Sequence, residues 1–214
     1  MPKTEPFDAY SDRYDEWFEV NRDAYHAEIE AVQRMVPFPR GSGLEVGVGS
    51  GKFAVPLGIK IGVEPSEAMA VKAEKQGIRV FRGVAEDLPF PDSRFDFVLM
   101  VTTICFVDDI LTSFREAFRV VKQGGCIVVG FVDKESELGK KYSAMRDSNV
   151  FYREATFFSA QEVSQYLTDA GFSDLTFKQT LIPGEEEKMV QDGFGEGAFV
   201  VVKGVKQEQG SLRP

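Results

Sequence analysis

Three glycines at alternate positions, Gly47, Gly49 and Gly51, follow the short apolar run Leu44–Val46. Glycine adopts positive φ without steric cost and lets a ligand come close to the backbone. A loop of this kind, between a strand and the start of a helix, is a common binding place for nucleotide-like ligands. Glu64 stands at the end of the next strand-like run, where a carboxylate can accept hydrogen bonds from ribose hydroxyls. The pattern therefore indicates the binding of a nucleoside.

Two phosphate-binding loops have related glycine patterns. A P-loop needs a glycine five positions before its Gly-Lys pair and a hydroxyl residue after the lysine, but Val46 and Phe53 occupy those positions around Gly51-Lys52. The dinucleotide fingerprint needs its third glycine at position 52, which is lysine. Both patterns are disfavoured, so an NAD-linked oxidoreductase is only the third choice of function. A glycine turn without any ligand is a further alternative.

Three more motifs accompany the loop: Gly83–Phe90, Phe95–Leu99 and Phe118–Gly125. Together with the glycine loop and Glu64, they resemble the class I S-adenosylmethionine (SAM)-dependent methyltransferases over about residues 7–135. Within that superfamily, the chain resembles the type 11-like branch that contains the ubiquinone and menaquinone biosynthesis enzymes. The resemblance implies an enzyme that uses SAM as its cofactor and methylates a small-molecule acceptor, with the N, O or C nucleophile left open.

The resemblance also implies site residues. The expected cofactor contacts are Glu45, Gly47, Gly49, Gly51, Glu64, Pro65, Ala85, Glu86 and Thr102. Glu64 would hold the ribose hydroxyls, and Pro65 and the Ala85-Glu86 segment would border the adenine. Candidates for lid or acceptor contacts are Tyr10, Tyr14 and Phe106, while Phe151, Tyr152, Phe157 and Phe158 are expected either in an aromatic acceptor pocket or in the core.

Some positions depart from the family pattern. Val84 stands where the family often has an aspartate, so the adenine amino group would need the Ala85 backbone or a neighbouring carboxylate. Thr103–Phe106 stand where histidines are often found. This change keeps open a second function, a SAM-binding regulatory or degenerate module without transferase activity. His26 is the only histidine. It is considered as a general base, although a surface or packing role explains it as well, and no catalytic residue or metal ligand is assigned.

The elements that must position these residues alternate between strands and helices. Strand-like runs are Leu44–Val46, Ile59–Val63, Ile78–Phe81, Phe95–Val101, Cys126–Val132, Leu175–Leu181 and Ala198–Val205. Helical patterns cover residues 5–36, 66–76 and 108–122, and a last helix runs from the capping box Ser159–Glu162 to Gly171. Pro37 and Pro39 are expected to end the first region, and Gly124-Gly125 the helix over 108–122. The stretch after the glycine loop leaves room for only a short helix.

This alternation predicts an α/β fold with a doubly wound, Rossmann-like sheet. We expect seven mostly parallel strands, an antiparallel C-terminal hairpin at one edge, and an N-terminal helical cap. Residues 1–206 are predicted to form one domain, with the cap over 1–40 and the core over 41–206, followed by a loose tail over 207–214.

Composition narrows the class of protein. The chain has 214 residues and a net charge of −9, which disfavours nucleic acid as the main partner because such binding depends on lysine and arginine. Cys105 and Cys126 lie in apolar, strand-like runs and are expected to be buried small hydrophobes in a reducing compartment. With no apolar run long enough to span a membrane and no leader-like segment, a cytoplasmic protein is expected, its oligomeric state open.

Overall fold

Helices and strands alternate along the chain in a computed structural model that describes residues 3–37, 41–185 and 189–208. The helices are α1 (Glu5–Ala9), α2 (Ser11–Val20), α3 (Arg22–Gln33), α4 (Ala54–Leu57), α5 (Glu67–Lys75), α6 (Ile110–Val120), α7 (Glu137–Ala144) and α8 (Ala160–Asp169). The strands are β1 (Gly43–Val46), β2 (Ile61–Val63), β3 (Arg79–Phe81), β4 (Phe95–Val101), β5 (Val121–Val132), β6 (Ser173–Thr180), β7 (Gln191–Asp192) and β8 (Phe199–Val205). Within these ranges, no helix has the length and apolar character needed to cross a membrane.

The predicted α/β fold is confirmed, with β1 to β5 parallel in one sheet of order β3-β2-β1-β4-β5-β8-β6-β7. The central strand β4 shows why this sheet is buried on both faces. Val98 and Met100 belong to the apolar core on one face, and Leu99 and Val101 to the core on the other. A continuous apolar run is what a strand covered on both sides requires.

The expected strand count of seven is wrong, because the sheet has eight strands. The additional strand is β7, whose two residues pair with Lys178 and Gln179 of β6 at the edge of the sheet. Two polar residues have no apolar alternation from which a strand could be predicted. The C-terminal strands are antiparallel as expected, with β7 rather than β8 at the edge.

The last strand, β8, lies inside the sheet. It pairs antiparallel with β5 on one side, with Val201 opposite Gly130, and antiparallel with β6 on the other, with Val201 opposite Lys178. Phe199, Val200, Val201 and Val202 are fully buried. A strand this apolar fits a position between two neighbours better than an edge, where its backbone groups would be unpaired.

The N-terminal helical region consists of three helices instead of one continuous pattern. The breaks are at Tyr10 and Asn21, whose backbone leaves the helical range. Phe18 anchors this region, because its ring packs edge-on against Tyr25 of α3 and Phe53 beside the glycine loop. The cap therefore covers the carboxyl end of β1. Pro37 ends no helix directly, since α3 stops at Gln33, and Pro39 lies outside the described residues.

The boundary between α6 and β5 differs from the expectation. The helix ends at Val120, and Val121 already pairs with Phe95, so Gly124-Gly125 lies within β5 rather than at a helix end. A Cβ on Gly125 would stand 2.6 Å from the Asp96 carbonyl oxygen, so this glycine permits a close backbone approach. The predicted capping box on α8 is present, with Ser159 and Glu162 bonding reciprocally.

Candidate functional site

Two cavities meet at the carboxyl ends of β1, β2 and β4, the place where open α/β sheets bind ligands. The loop cavity, of about 430 Å³, is bordered by the glycine loop, Glu64 and the Gly83–Glu86 segment. The aromatic cavity, of about 230 Å³, lies under α2 and α3 and is closed by the segment around Phe151–Phe158. The two share four wall residues: Phe7, Tyr14, Thr102 and Phe106. A ligand in one cavity can therefore contact a ligand in the other.

The three glycines of the loop have different structural roles. At Gly47, with φ +69°, an added Cβ would stand 2.5 Å from the Thr103 side chain, so the glycine lets the loop pack on the β4 end. At Gly49, φ +55°, the nearest atoms are 3.5 Å or more away, and this glycine opens onto the loop cavity. Gly51, φ +90°, packs against Ile78 and does not line the loop cavity. Two of the three expected glycine contacts thus reach the site.

Glu64 is held at the wall of the loop cavity by backbone amides. Its Oε2 accepts a hydrogen bond from the Gly49 N–H at 2.8 Å, and its Oε1 accepts one from the Ser66 N–H at 2.9 Å. The side chain is almost fully buried. Burial raises the pKa of Glu64 to about 6, although the Ser66 and Gly49 amides act in the opposite direction. Each carboxylate oxygen retains a lone pair for a ligand.

Glu45 lies next to this site but not in the cavity wall. It is almost fully buried in β1, and its Oε2 has no hydrogen-bond partner among the described residues. Burial, together with the nearby Glu64 carboxylate, raises the pKa of Glu45 well above its usual range. A buried polar atom without a partner is costly, so such an atom next to a cavity suggests a contact completed by a ligand or a bridging water.

The residues expected to border the adenine lie together in the loop cavity. Pro65, Val84, Ala85 and Glu86 all line the loop cavity. The Glu86 carboxylate accepts hydrogen bonds from the backbone N–H groups of Asp108 and Asp109 at the start of α6. Glu86 therefore links the Gly83–Glu86 wall of the loop cavity to the start of α6, and one of its carboxylate oxygens already accepts both of these hydrogen bonds.

The junction of the two cavities contains a strained residue. Thr102 has φ +51°, which is unusual for a β-branched side chain, and its N–H donates to the Gly130 carbonyl at 2.8 Å. Tyr14 points into the same junction, where burial and the nearby Glu64 raise its pKa, so the phenol stays protonated. Phe7 packs edge-on against Phe106 with ring centroids 4.9 Å apart. The junction is thus apolar, with two hydroxyl groups.

The aromatic cavity has walls of rings and one buried acid. Tyr142 and Tyr152 lie with centroids 4.5 Å apart, and Phe151 lies 5.5 Å from Phe7. All four aromatic residues considered in the 151–158 segment line the cavity. Glu28 of α3 also lines it and is only 4% exposed. Burial raises the pKa of Glu28 to about 8.

Several expected contacts lie elsewhere. Tyr10 is 46% exposed at the end of α1 and lines neither cavity. His26 is exposed, stacks on Tyr25 and is also outside both cavities. Cys126 is buried in β5, but Cys105 follows β4 in a loop and is only partly buried in the aromatic cavity wall. Burial raises the pKa of the Cys105 thiol to about 12.

Glu28 and Tyr142 line the aromatic cavity but were not predicted from the sequence. Glu28 does have a signal, because it stands on the same helical face as Tyr25, Ala31 and Val32, among apolar residues that are buried or half-buried. A lone acid on the buried face of a helix is rare without a partner. Tyr142 had no comparable signal, since α7 itself was not predicted.

Comparisons with known proteins agree with this geometry. Residues 44–129 match the family model described as a methyltransferase domain. An uncharacterised protein of Methanocaldococcus jannaschii is 44% identical over 203 residues, covering 94% of this chain and 98% of its own length. A demethylmenaquinone methyltransferase of Lysinibacillus sphaericus is 30% identical over 138 residues, covering 58% of this chain and 59% of its own length.

A solved structure from Thermotoga maritima extends the likeness to the whole fold. It is described as a SAM-dependent methyltransferase and a possible histamine N-methyltransferase. It is 49% identical, covers 94% of this chain and 98% of its own, and superposes with a TM-score of 0.90.

Proposed function

The chain belongs to the class I SAM-dependent methyltransferases, and from this premise we propose how its two cavities divide the work. The loop cavity holds the methyl donor, and the aromatic cavity holds a small-molecule acceptor. The four shared residues at the junction would border the methyl group when both cavities are occupied. The observation that carries this proposal is the position of Glu64, a buried carboxylate at the rim of the glycine loop.

The residues present fit SAM in the loop cavity. Glu64 can accept a hydrogen bond at each oxygen from the two ribose hydroxyls, because the Gly49 and Ser66 amides use only one lone pair of each. A Cβ at Gly49 would intrude on the open space of the loop cavity. Pro65 and Ala85 add apolar surface to the wall of the loop cavity, against which a flat base would pack. The unpartnered oxygen of Glu45 can be reached through a water from the amino-acid end of the donor.

Bound SAM would supply a methyl group already activated on a positively charged sulfonium. The protein then contributes chiefly orientation and exclusion of water. Tyr14 and Thr102 present hydroxyls at the junction, while Phe7 and Phe106 shield it with ring edges. These residues align the acceptor atom with the methyl group, which is the geometry that an in-line displacement requires.

The walls of the aromatic cavity restrict the choice of general base. Cys105 is not a suitable base, because burial keeps its thiol protonated. His26 lies outside the cavity. Glu28 is the one carboxyl group among the described residues that line the aromatic cavity. Glu28 is therefore the remaining candidate for a carboxylate that contacts the acceptor.

Isothermal titration with S-adenosylhomocysteine, the demethylated product, tests the donor site. In Glu64→Gln, an amide replaces the carboxylate and cannot accept from both hydroxyls, so affinity should fall by at least about tenfold, because hydrogen bonds to charged groups contribute 1.5–3 kcal/mol each. This variant is sharper than Glu64→Ala, which would also remove both acceptors of the Gly49 and Ser66 amides. Glu67→Gln is the matched control, an exposed acid that pairs with Arg82 at the start of α5.

The same titration separates the competing functions. NAD should not bind. The proposal would be contradicted if NAD bound tightly and S-adenosylhomocysteine did not bind. Unchanged affinity in Glu64→Gln would refute the ribose contact. Release of S-adenosylhomocysteine from SAM in the presence of small amines, phenols and quinols then distinguishes an active transferase from a module that only binds. Histamine belongs in that panel, given the description of the Thermotoga protein.

A further inference from the structure

Glu28 is a buried acid in the wall of the aromatic cavity. The helix α3 places it on its buried face, and no hydrogen bond or ion pair to its carboxylate is found within residues 3–37, 41–185 and 189–208. Burial is the one cause of its altered pKa. An unpaired buried charge costs several kcal/mol, so a folded protein rarely keeps such a group unless a ligand uses it.

The groups that face Glu28 do not compensate its charge. Burial raises the pKa of Tyr142 and of Tyr152, and the nearby Glu28 carboxylate acts in the same direction on both phenols. Tyr25, one turn earlier in α3, is affected in the same way. Arg13 lines the cavity at its rim, but its residue is exposed and no ion pair joins it to Glu28. The carboxyl group is therefore open to a ligand.

Aromatic rings form the rest of the surface. Trp17 and Phe18 of α2 line the cavity, as does the Tyr142–Tyr152 pair. The faces of such rings attract organic cations, and the attraction grows when water is excluded. A carboxyl group among aromatic rings can recognise an alkylammonium or similar cation by ionising and pairing with it, whereas a phenol or a quinol would meet the neutral acid only as a hydrogen-bonding partner.

We propose that the acceptor of this enzyme carries a basic nitrogen, and that its cationic end is held by the Glu28 carboxylate within the ring-lined cavity. This inference rests on the proposed function, because it places the ligand in the cavity that adjoins the donor. Glu28 acts here as the residue that selects the acceptor. A cation bound against Glu28 extends along the aromatic walls toward Phe106 and Thr102, at the junction with the loop cavity.

Binding of a cation should be coupled to release of a proton. With a pKa of about 8, Glu28 is mostly neutral at pH 7 when no ligand is bound. An ammonium group favours the ionised form, so the carboxyl group must lose its proton as the complex forms. Close to one proton should be released per cation bound at pH 7, and the number should fall toward zero above pH 9.

Titration of the protein saturated with S-adenosylhomocysteine tests this inference. The probes are 2-phenylethylamine, histamine and hexylamine, with 2-phenylethanol and hexanol as neutral counterparts. The preferred amine should bind at least about tenfold more tightly than its neutral counterpart, as expected for a desolvated ion pair. Repeating the titration in buffers with different enthalpies of ionisation measures the proton release.

Two variants assign the effect to one residue. Glu28→Gln should abolish both the preference for the cation and the release of a proton. Glu30→Gln is the matched control, because Glu30 lies on the same helix but pairs with Arg34 outside the cavity. If Glu28→Gln does not fold, Glu28→Asp retains the charge in a shorter side chain and should keep the proton release with weaker binding.

The outcomes are distinguishable from a failure of the proposed function. If S-adenosylhomocysteine itself does not bind, the donor site is wrong. If it binds, and the amines of the panel bind no better than the neutral compounds or without release of a proton, the role of Glu28 is overturned. An undiminished preference for the cation in Glu28→Gln would overturn it equally.

Discussion

Replacing Glu28 by glutamine should change how the stability of the protein depends on pH. The pKa of Glu28 rises from its ordinary value of 4.5 to about 8 on folding, because the carboxyl group loses contact with water. Between these two pH values the folded state holds a proton that the unfolded state has lost. The free energy of unfolding therefore decreases as pH rises, by about 1.4 kcal/mol per pH unit. The contribution of Glu28 is fully present below pH 4.5 and is lost by about pH 8, a total of roughly 5 kcal/mol.

Glutamine has nearly the same shape as glutamate, but its side chain does not titrate. Urea unfolding, followed by circular dichroism at each pH unit from 5 to 9, gives the free energy of unfolding of the wild type and of Glu28→Gln. At pH 5 the two should be similar, and at pH 9 the variant should be more stable by several kcal/mol. Glu45 and Glu64 also titrate, but they contribute equally to both proteins and cancel in the difference.

Glu30→Gln is again the control. The difference between its free energy of unfolding and that of the wild type should not vary with pH in this way. A difference between wild type and Glu28→Gln that stays constant from pH 5 to 9 would refute the reasoning. It would mean that water reaches the Glu28 carboxylate in solution, so that a cation would gain little from pairing with it.

Three other predictions follow from the site and its supports. Affinity for S-adenosylhomocysteine should fall about tenfold per pH unit below pH 6, where Glu64 gains a proton, and titration of Glu64→Gln should show no such dependence. Gly47→Ala should lower the free energy of unfolding in urea by more than about 2 kcal/mol, because its Cβ would collide with Thr103 at positive φ; a loss below 0.5 kcal/mol would refute the clash. Ser159→Ala should lower it by about 1 kcal/mol through loss of the α8 cap, and unchanged urea unfolding would show that the capping box is dispensable.

Most residues that line the loop cavity could be brought together from the sequence, because this cavity is formed largely by loops that follow directly after strands. The glycine loop, Glu64 and the Ala85-Glu86 segment each follow directly after a strand, and the carboxyl ends of parallel strands share one edge. Local order along the chain therefore determines which residues meet. Gly51 is the exception, since its position in the motif suggests a ligand contact, whereas its packing against Ile78 explains it structurally.

The aromatic cavity could not be predicted in the same way. Its walls come from α2 and α3 near the start of the chain and from α7 and the 151–158 segment more than 100 residues later. Aromatic residues at helical spacing predict a buried face but do not tell whether a core or a cavity lies beneath it. Tyr10 and Tyr14 illustrate this limit: both stand on the N-terminal helices, yet only Tyr14 lines the cavities.

The position of β8 inside the sheet has a consequence for synthesis on the ribosome. β5 and β6 are each complete long before Phe199–Val205 leaves the exit tunnel, but neither can pair with the other without β8 between them. Until then, β5 is an unpaired apolar edge, and such edges associate readily with other chains. The edge of β5 is therefore covered only once β8 has been made, after every other strand of the sheet.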